Sequence, residues 1–165
     1  MIAGDTGIPL TQRAQSFLLS VGHPNELAGG KRPRVTLSPT IVTRDGKPSM
    51  AITTPGGDIQ EQSMLQIFLN VAEFGLNAQQ AIEAPRLQTR HLVSSFDNHA
   101  WNRGDLLLDE RIPPVTYAEL TERGHRTGSR SRWNSGSHPV LIKVLANGVI
   151  EAGVDPYGYR VAQGW

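Results

Sequence analysis

Two stretches of the sequence carry β-hairpin signals, and the residues between them include stretches with the spacing of helices. The first stretch, "VTLSPTIVTRDGKPSMAITT", is rich in β-branched residues on both sides of the turn Asp45–Lys47. Proline cannot donate to a strand ladder, so we expect the regular part of this hairpin to begin after Pro39, at Thr40. The second stretch, "HPVLIKVLANGVIEAGV", alternates apolar and polar residues around Asn147 and Gly148, which predicts a two-residue turn.

Three helices are predicted between the hairpins. In "EQSMLQIFLNVAEFG" the apolar residues recur at helical spacing and end at Gly75, and their abundance predicts a mostly buried helix. Asn77 is a typical N-cap for a second helix that Pro85 stops, and the third runs from Pro114 to Gly124. The sequence therefore predicts an α+β fold with helices packed on largely antiparallel sheets.

Composition limits the possible partners. The 165 residues suffice for a single domain spanning 1–165, and 16 basic against 15 acidic residues favour neither nucleic acid nor an anionic membrane as a partner. Without cysteine the compartment stays open between cytoplasm and periplasm. The one basic cluster, Arg126–Arg132, is rich in glycine and serine, so we expect a solvated loop, with an anion or interface contact as the alternative.

Few residues suggest chemistry by themselves. The five histidines lack metal-site spacing and no G-x-S-x-G motif occurs, so we expect neither a metal nor another cofactor. Asp155 precedes a proline and is typical of a turn. The pair Gly56–Gly57 stands between a strand-like run and a helix, where two backbone N–H groups could hold an oxyanion or a phosphate. A glycine turn without a function is an equally good interpretation.

The region Gly30–Arg86 contains, in order, KRP, SPT, DGK, PGG, N-x-x-x-F-G-x-N and APR. This order resembles the small-subunit signature of the gamma-glutamyltranspeptidase family, and the resemblance extends over nearly the whole chain. It implies a partial αββα sandwich of the Ntn hydrolases, in which a precursor cleaves itself into a large and a small subunit. A new amino-terminal threonine then attacks a γ-glutamyl amide and forms an acyl-enzyme. By this resemblance Gly56 and Gly57 supply the oxyanion hole.

The chain departs from the family in its nucleophile. By the resemblance, the threonine segment should precede "AGDTGIPL", so Met1 is interpreted as an internal start or a truncation. We therefore expect the chain alone to be inactive, with its partner the large subunit or the amino-terminal portion of the same precursor. The alternative is a non-catalytic remnant that acts as a structural or binding module.

The second departure concerns the substrate. Typical members have Asn-Asn-Gln-Met-Asp-Asp-Phe where this chain has "TQRAQSF", so the acidic residue for the α-amino group becomes Ser16 and the nearby glutamine becomes Arg13. The serine pair for the α-carboxylate becomes Val35 and Thr36. Together with "GGD" in place of "GGS", these changes resemble the divergent acylase-like branch. An arginine there favours an acyl group with a carboxylate and no ammonium, such as a glutaryl-like group, unless Arg13 pairs with an internal carboxylate. A fragment of a glutaryl or cephalosporin-type acylase is therefore a further alternative.

Overall fold

The computed structural model describes residues 2–164, so Met1, interpreted above as an internal start, lies outside the described residues. The elements follow one another in a single order along the chain. They are β1 (Thr40–Arg44), β2 (Lys47–Thr53), α1 (Gln60–Ala72), α2 (Ala78–Glu83), β3 (Leu87–Thr89), β4 (Asp105–Asp109), α3 (Pro114–Glu122), β5 (Arg126–Arg130), β6 (Val140–Val144) and β7 (Ile150–Val154).

The first predicted hairpin is confirmed. Strand β1 begins at Thr40 and pairs antiparallel with β2, and Arg44 lies opposite Lys47. The two residues between them, Asp45 and Gly46, have φ of 52° and 74°. Positive φ at both central positions is the conformation of a type I′ turn, whose twist matches the right-handed twist of paired strands.

The second hairpin is also confirmed, but the prediction of a two-residue turn is wrong. Strands β6 and β7 pair antiparallel, and the amide of Leu145 donates to the carbonyl of Val149 at 2.8 Å, which leaves three residues in the loop. Gly148 alone among these three has a positive φ, of 84°. Asn147 instead uses its side chain, which accepts a hydrogen bond from the amide of Val149 at 3.1 Å.

The two hairpins join into one antiparallel sheet with the order β1-β2-β6-β7, and α1 and α2 pack against it. Helix α2 begins with the predicted N-cap, because the side chain of Asn77 accepts from the amide of Gln80 at 2.8 Å and the Gln80 side chain bonds back to Asn77. The core between these layers consists of Met50, Ile52, Met64, Ile67, Val71, Ala78, Ala81, Ile82 and Leu141.

A second, three-stranded sheet has the order β3-β4-β5. Its β4 and β5 are parallel, and α3 makes the crossover between them. The expectation of a solvated loop at Arg126–Arg132 is therefore wrong, because Arg126–Arg130 is strand β5. Gly128 lets this polar segment approach β4 closely, since a Cβ there would lie 2.9 Å from the side chain of Leu107.

Helix α1 is less buried than predicted. Its inner face buries Ile67 completely, but Leu65 is 59% exposed on the outer face and Phe74, just beyond the helix, is 72% exposed. On the neighbouring edge strand β1, Ile41 is 71% exposed. The apolar spacing predicted the helix correctly, but it could not tell which apolar residues lie outside the core. Among residues 2–164, no helix is long and apolar enough to cross a membrane.

Candidate active site

The glycine pair lies in the turn that joins β2 to α1. Gly56 has a φ of 140° and Gly57 a φ of 61°, and a short 3-10 helix over Gly57–Ile59 leads into α1. A Cβ on Gly56 would lie 2.8 Å from the carbonyl oxygen of Gly136, and a Cβ on Gly57 would lie 2.9 Å from the ring of Phe96. Both positions therefore require glycine, for backbone conformation and for space.

The turn opens onto a cleft of about 1230 Å³ that both glycines line. An amide at the start of a helical turn has no acceptor within that turn. Two such N–H groups on the wall of a cleft are suited to a carbonyl oxygen that gains negative charge.

Arg13 lies on the same cleft. It belongs to a 3-10 helix, Gln12–Ser16, whose first turn is capped by the side chain of Thr11. One guanidinium nitrogen of Arg13 donates to the hydroxyl of Thr36 at 3.2 Å, and the guanidinium carbon lies 5.4 Å from the centre of the Phe96 ring. Among residues 2–164, no carboxylate lies within ion-pair distance of Arg13. The guanidinium thus retains donors for a carboxylate from elsewhere.

The floor of the cleft is held together by polar side chains. Gln60 is buried, and with its amide nitrogen turned inward it donates to the carbonyls of Thr36 at 2.7 Å and Thr54 at 3.1 Å. The Thr54 hydroxyl donates to the carbonyl of Pro55 and accepts from the amide of His138 at 3.0 Å. These bonds tie the strand end before the glycines to the segments that carry Thr36 and His138.

The structure brings Arg13, Thr36, Gly56 and Gly57 to one cleft, but not Ser16 and Val35. Ser16 is buried and lines a small separate cavity of about 120 Å³ beside Asn25. Val35 is 55% exposed and lines a neighbouring cavity that shares Thr36, Gly56 and Gly57 with the cleft.

The structure adds to the cleft His138, which the sequence analysis did not assign to a site. The ring Nδ1 of His138 lies 3.7 Å from the Asp155 carboxylate, and a nitrogen of Arg86 lies 3.7 Å from the same oxygen. Asp155 also accepts from the amide of Tyr157 at 2.8 Å, so its predicted place in a turn is confirmed. Only proximity in three dimensions reveals this cluster, because Arg86 and Asp155 lie far apart in the sequence.

Two arginines bind segments next to the cleft: Arg86 is buried and Arg130 is half-buried. Arg130, from β5, donates to the side chain of Gln88 and to the carbonyl of Ser135, next to the Gly136 that touches the glycine turn. Burial lowers the pKa of Arg130, and the nearby charge of Arg86 lowers it further. Burial also lowers the pKa of Arg86, although Asp155 and Asp109 oppose that shift.

Among residues 2–164, no group of three His, Asp or Glu side chains could hold a metal ion. The residues that line the cleft include the two glycines, Arg13 with its guanidinium and His138 with its imidazole.

Comparison with known proteins places this geometry in a family. A family model described as gamma-glutamyltranspeptidase matches residues 1–165. The glutathione hydrolase-like YwrD proenzyme of Bacillus subtilis is 32% identical over 164 residues, which cover 98% of this chain and 30% of the relative. The glutathione hydrolase proenzyme of Escherichia coli is 30% identical over 166 residues, covering 94% of this chain and 26% of the relative. The chain thus spans less than a third of either relative.

Two solved structures are similar over most of the chain. The gamma-glutamyltranspeptidase from Pseudomonas nitroreducens complexed with L-DON has a TM-score of 0.78 at 25% identity and covers 100% of this chain and 86% of that one. A cephalosporin acylase from Bacillus halodurans has a TM-score of 0.77 at 28% identity and covers 92% of this chain and 26% of that one. The predicted α+β fold of the Ntn hydrolases is confirmed, and the chain belongs to the gamma-glutamyltranspeptidase family.

Proposed function

We propose that residues 1–165 form one domain, the carboxy-terminal portion of a small subunit, and that it holds the acyl group of an amide substrate during threonine-dependent acyl transfer. In this proposal Gly56 and Gly57 bind the carbonyl oxygen, while Arg13 and Thr36 bind a carboxylate at the far end of the acyl group. The observation that supports it best is the presence of these four residues on one cleft.

The proposed reaction has two steps. A threonine hydroxyl attacks the amide carbonyl, and the negative charge that develops on the oxygen is stabilised by the two glycine amides. The amine then leaves with a proton as the C–N bond breaks, which leaves an ester on the threonine. Water or a second amine attacks this ester and restores the hydroxyl. In this proposal the nucleophile is the amino-terminal threonine of a segment outside residues 1–165, and not Thr53 or Thr54, which line the cleft directly before Pro55 at the end of a strand.

The acyl group is proposed to be glutaryl-like, with a carboxylate and no ammonium group. The guanidinium of Arg13 attracts a carboxylate and repels an ammonium ion, and Ser16, which replaces the usual acidic residue, lines another cavity. The cephalosporin acylase likeness is consistent with this class. The γ-glutamyl group is the competing substrate, because the curated relatives named above are glutathione hydrolase or hydrolase-like proenzymes.

The proposed partner is the rest of a precursor, which covers the apolar groove between β1 and α1. This groove, of about 540 Å³, is lined by Ile41, Val42, Met64, Leu65 and Phe68. The relatives are named proenzymes, which is consistent with a partner that derives from the same chain.

The test compares glutaryl, γ-glutamyl and butyryl p-nitroanilides as substrates of the complete protein that carries this chain. We expect the glutaryl anilide to be preferred. Arg13→Gln should lower its kcat/KM about 10- to 100-fold, the cost of one hydrogen bond to a charged group, and should change butyryl hydrolysis much less. Arg44→Gln, at the exposed hairpin end, is the matched control. Hydrolysis of none of the three amides would contradict the proposed reaction, and selectivity unchanged in Arg13→Gln would contradict the proposed acyl site.

A further inference from the structure

Asp58 follows the glycine pair directly, at the position where the usual family motif has a serine. Its carboxylate binds Ser95 in the loop between β3 and β4. One carboxylate oxygen accepts from the backbone amide of Ser95 at 2.7 Å, and the other accepts from the Ser95 hydroxyl. A nitrogen of Arg34 lies 3.6 Å from the second oxygen. Asp58 thus holds Ser95 by two hydrogen bonds, each strengthened by the negative charge of the acceptor.

The residue after Ser95 forms a wall of the cleft. Ser95 is fully buried, and the Phe96 ring beside it packs on Gly57, where a Cβ would lie 2.9 Å from the ring. The same ring lies 5.4 Å from the guanidinium carbon of Arg13. A continuous set of contacts therefore connects Asp58, through Ser95 and Phe96, to Arg13.

The direction of the carboxylate fits this role. A negative charge one residue from the proposed oxyanion hole would repel the developing oxyanion if it faced the cleft. Both oxygens of Asp58 are instead engaged by Ser95 and Arg34. Asp58 is not among the residues that line the cleft, and it lines a neighbouring cavity that both glycines also line. A serine at this position would be neutral and have one side-chain oxygen, so it could not give each of the two Ser95 donors its own charged acceptor.

Other hydrogen bonds also hold the loop between β3 and β4 close to Ser95. Arg34 donates to the carbonyl of Val93 at 2.9 Å, and the amide of Ser94 donates to the carbonyl of Ala100 at 3.0 Å. Removing the Asp58 carboxylate should therefore loosen Ser95 and Phe96 without detaching the whole loop.

We propose that Asp58 is a positioning residue that determines acyl selectivity, because it fixes the Phe96 ring against which the Arg13 guanidinium is held. This inference rests on the proposed function, in which Arg13 binds the acyl carboxylate. It adds that the aspartate after the glycine pair and the arginine on the cleft act as one unit, although 45 positions separate them in the sequence.

The experiment uses the complete protein with the variants Asp58→Ala, Asp58→Asn and Ser95→Ala, and Glu73→Gln at the exposed end of α1 as the control. The ratio of kcat/KM for the glutaryl and γ-glutamyl anilides should fall about tenfold in Asp58→Ala, mostly through a higher KM for the glutaryl anilide. Ser95→Ala loses one of the two hydrogen bonds and Asp58→Asn loses the negative charge, so the ratio should fall less in these two variants than in Asp58→Ala. Asp58→Ala should add little to Arg13→Gln, because both changes affect the same contact.

A second measurement does not depend on turnover. Amide hydrogen exchange at Ser95 and Phe96 should quicken in Asp58→Ala and stay unchanged in Glu73→Gln. Unchanged exchange, or a lower melting temperature with wild-type selectivity, would overturn the role of Asp58 while leaving the proposed function intact. Faster exchange in a protein that hydrolyses none of the anilides would show that the proposed function itself had failed. If Asp58→Ala does not fold, the same comparisons are made with Ser95→Ala.

Discussion

At the scale of single residues, the glycine pair is the feature that the sequence revealed best and explained least. The spacing of "PGGD" placed it between a strand and a helix, and residues 2–164 have that arrangement. A side chain at these positions would collide with distant residues, Gly136 in the case of Gly56 and Phe96 in the case of Gly57, and no local sequence pattern shows this. For the same reason Arg13 and Thr36 lie on the cleft while Ser16 and Val35, predicted with them, do not.

The substitution Gly57→Ala tests the role of this turn. The new Cβ would contact the Phe96 ring at a φ that alanine rarely adopts, so the turn should shift and misalign its amides. We expect kcat of the complete protein to fall by up to about 100- to 1000-fold, the cost of losing one oxyanion donor, with a smaller change in KM. Gly75→Ala is the matched control, because Gly75 has a similar φ of 68° and open space around it. Active-site titration gives the amount of folded, competent Gly57→Ala protein. If that protein acylates at the wild-type rate, Gly57 has no role in the mechanism.

At the scale of elements, those with local signals were predicted and those that depend on a neighbour were not. Asp45–Gly46 determines its hairpin and Asn77 caps its helix through bonds to residues at most three positions away. Strand β5 has no such signal, since "RTGSR" is polar and forms a strand only by pairing with β4. The pairing of β5 with β4 in the folded protein overrides the low strand propensity of this segment.

The end of β4 gives a prediction of pH dependence. Burial opposes ionisation of Asp109, but hydrogen bonds from Arg111 and the charges of Arg111 and Arg130 outweigh it, so the pKa of this carboxyl is lowered. A lowered pKa in the folded state stabilises the fold above the unfolded value of about 3.9, and that stability is lost as the pH falls through the folded value. We expect Asp109→Asn to be less stable than wild type at pH 7 in urea and to lose less stability between pH 5 and pH 2. Asp5→Asn, at an exposed site, is the control, and identical acid dependence in wild type and Asp109→Asn would contradict this role.

At the scale of the whole molecule, large apolar side chains beside α1 are exposed to solvent instead of packing in the core. Leu65 and Ile41 are 59% and 71% exposed, on either side of the groove between α1 and β1. An apolar surface of this kind is typical of an interface. We expect the 165-residue chain alone to bind a hydrophobic dye, Leu65→Lys to bind less, and the complete protein to bind least. Equal dye binding by the chain alone and by the complete protein would show that no partner covers the groove.

The central claim is that one cleft holds both ends of the acyl group, and a crystal structure of the acyl-enzyme tests it most directly. The complete protein would be soaked with a slowly hydrolysed glutaryl ester and frozen before deacylation. We predict that the ester carbonyl oxygen lies roughly 2.7–3.1 Å from the amide nitrogens of Gly56 and Gly57. The terminal carboxylate should pair with the guanidinium of Arg13. An acyl group whose carbonyl oxygen faces away from both glycines, or whose carboxylate lies outside the reach of Arg13, would contradict the account.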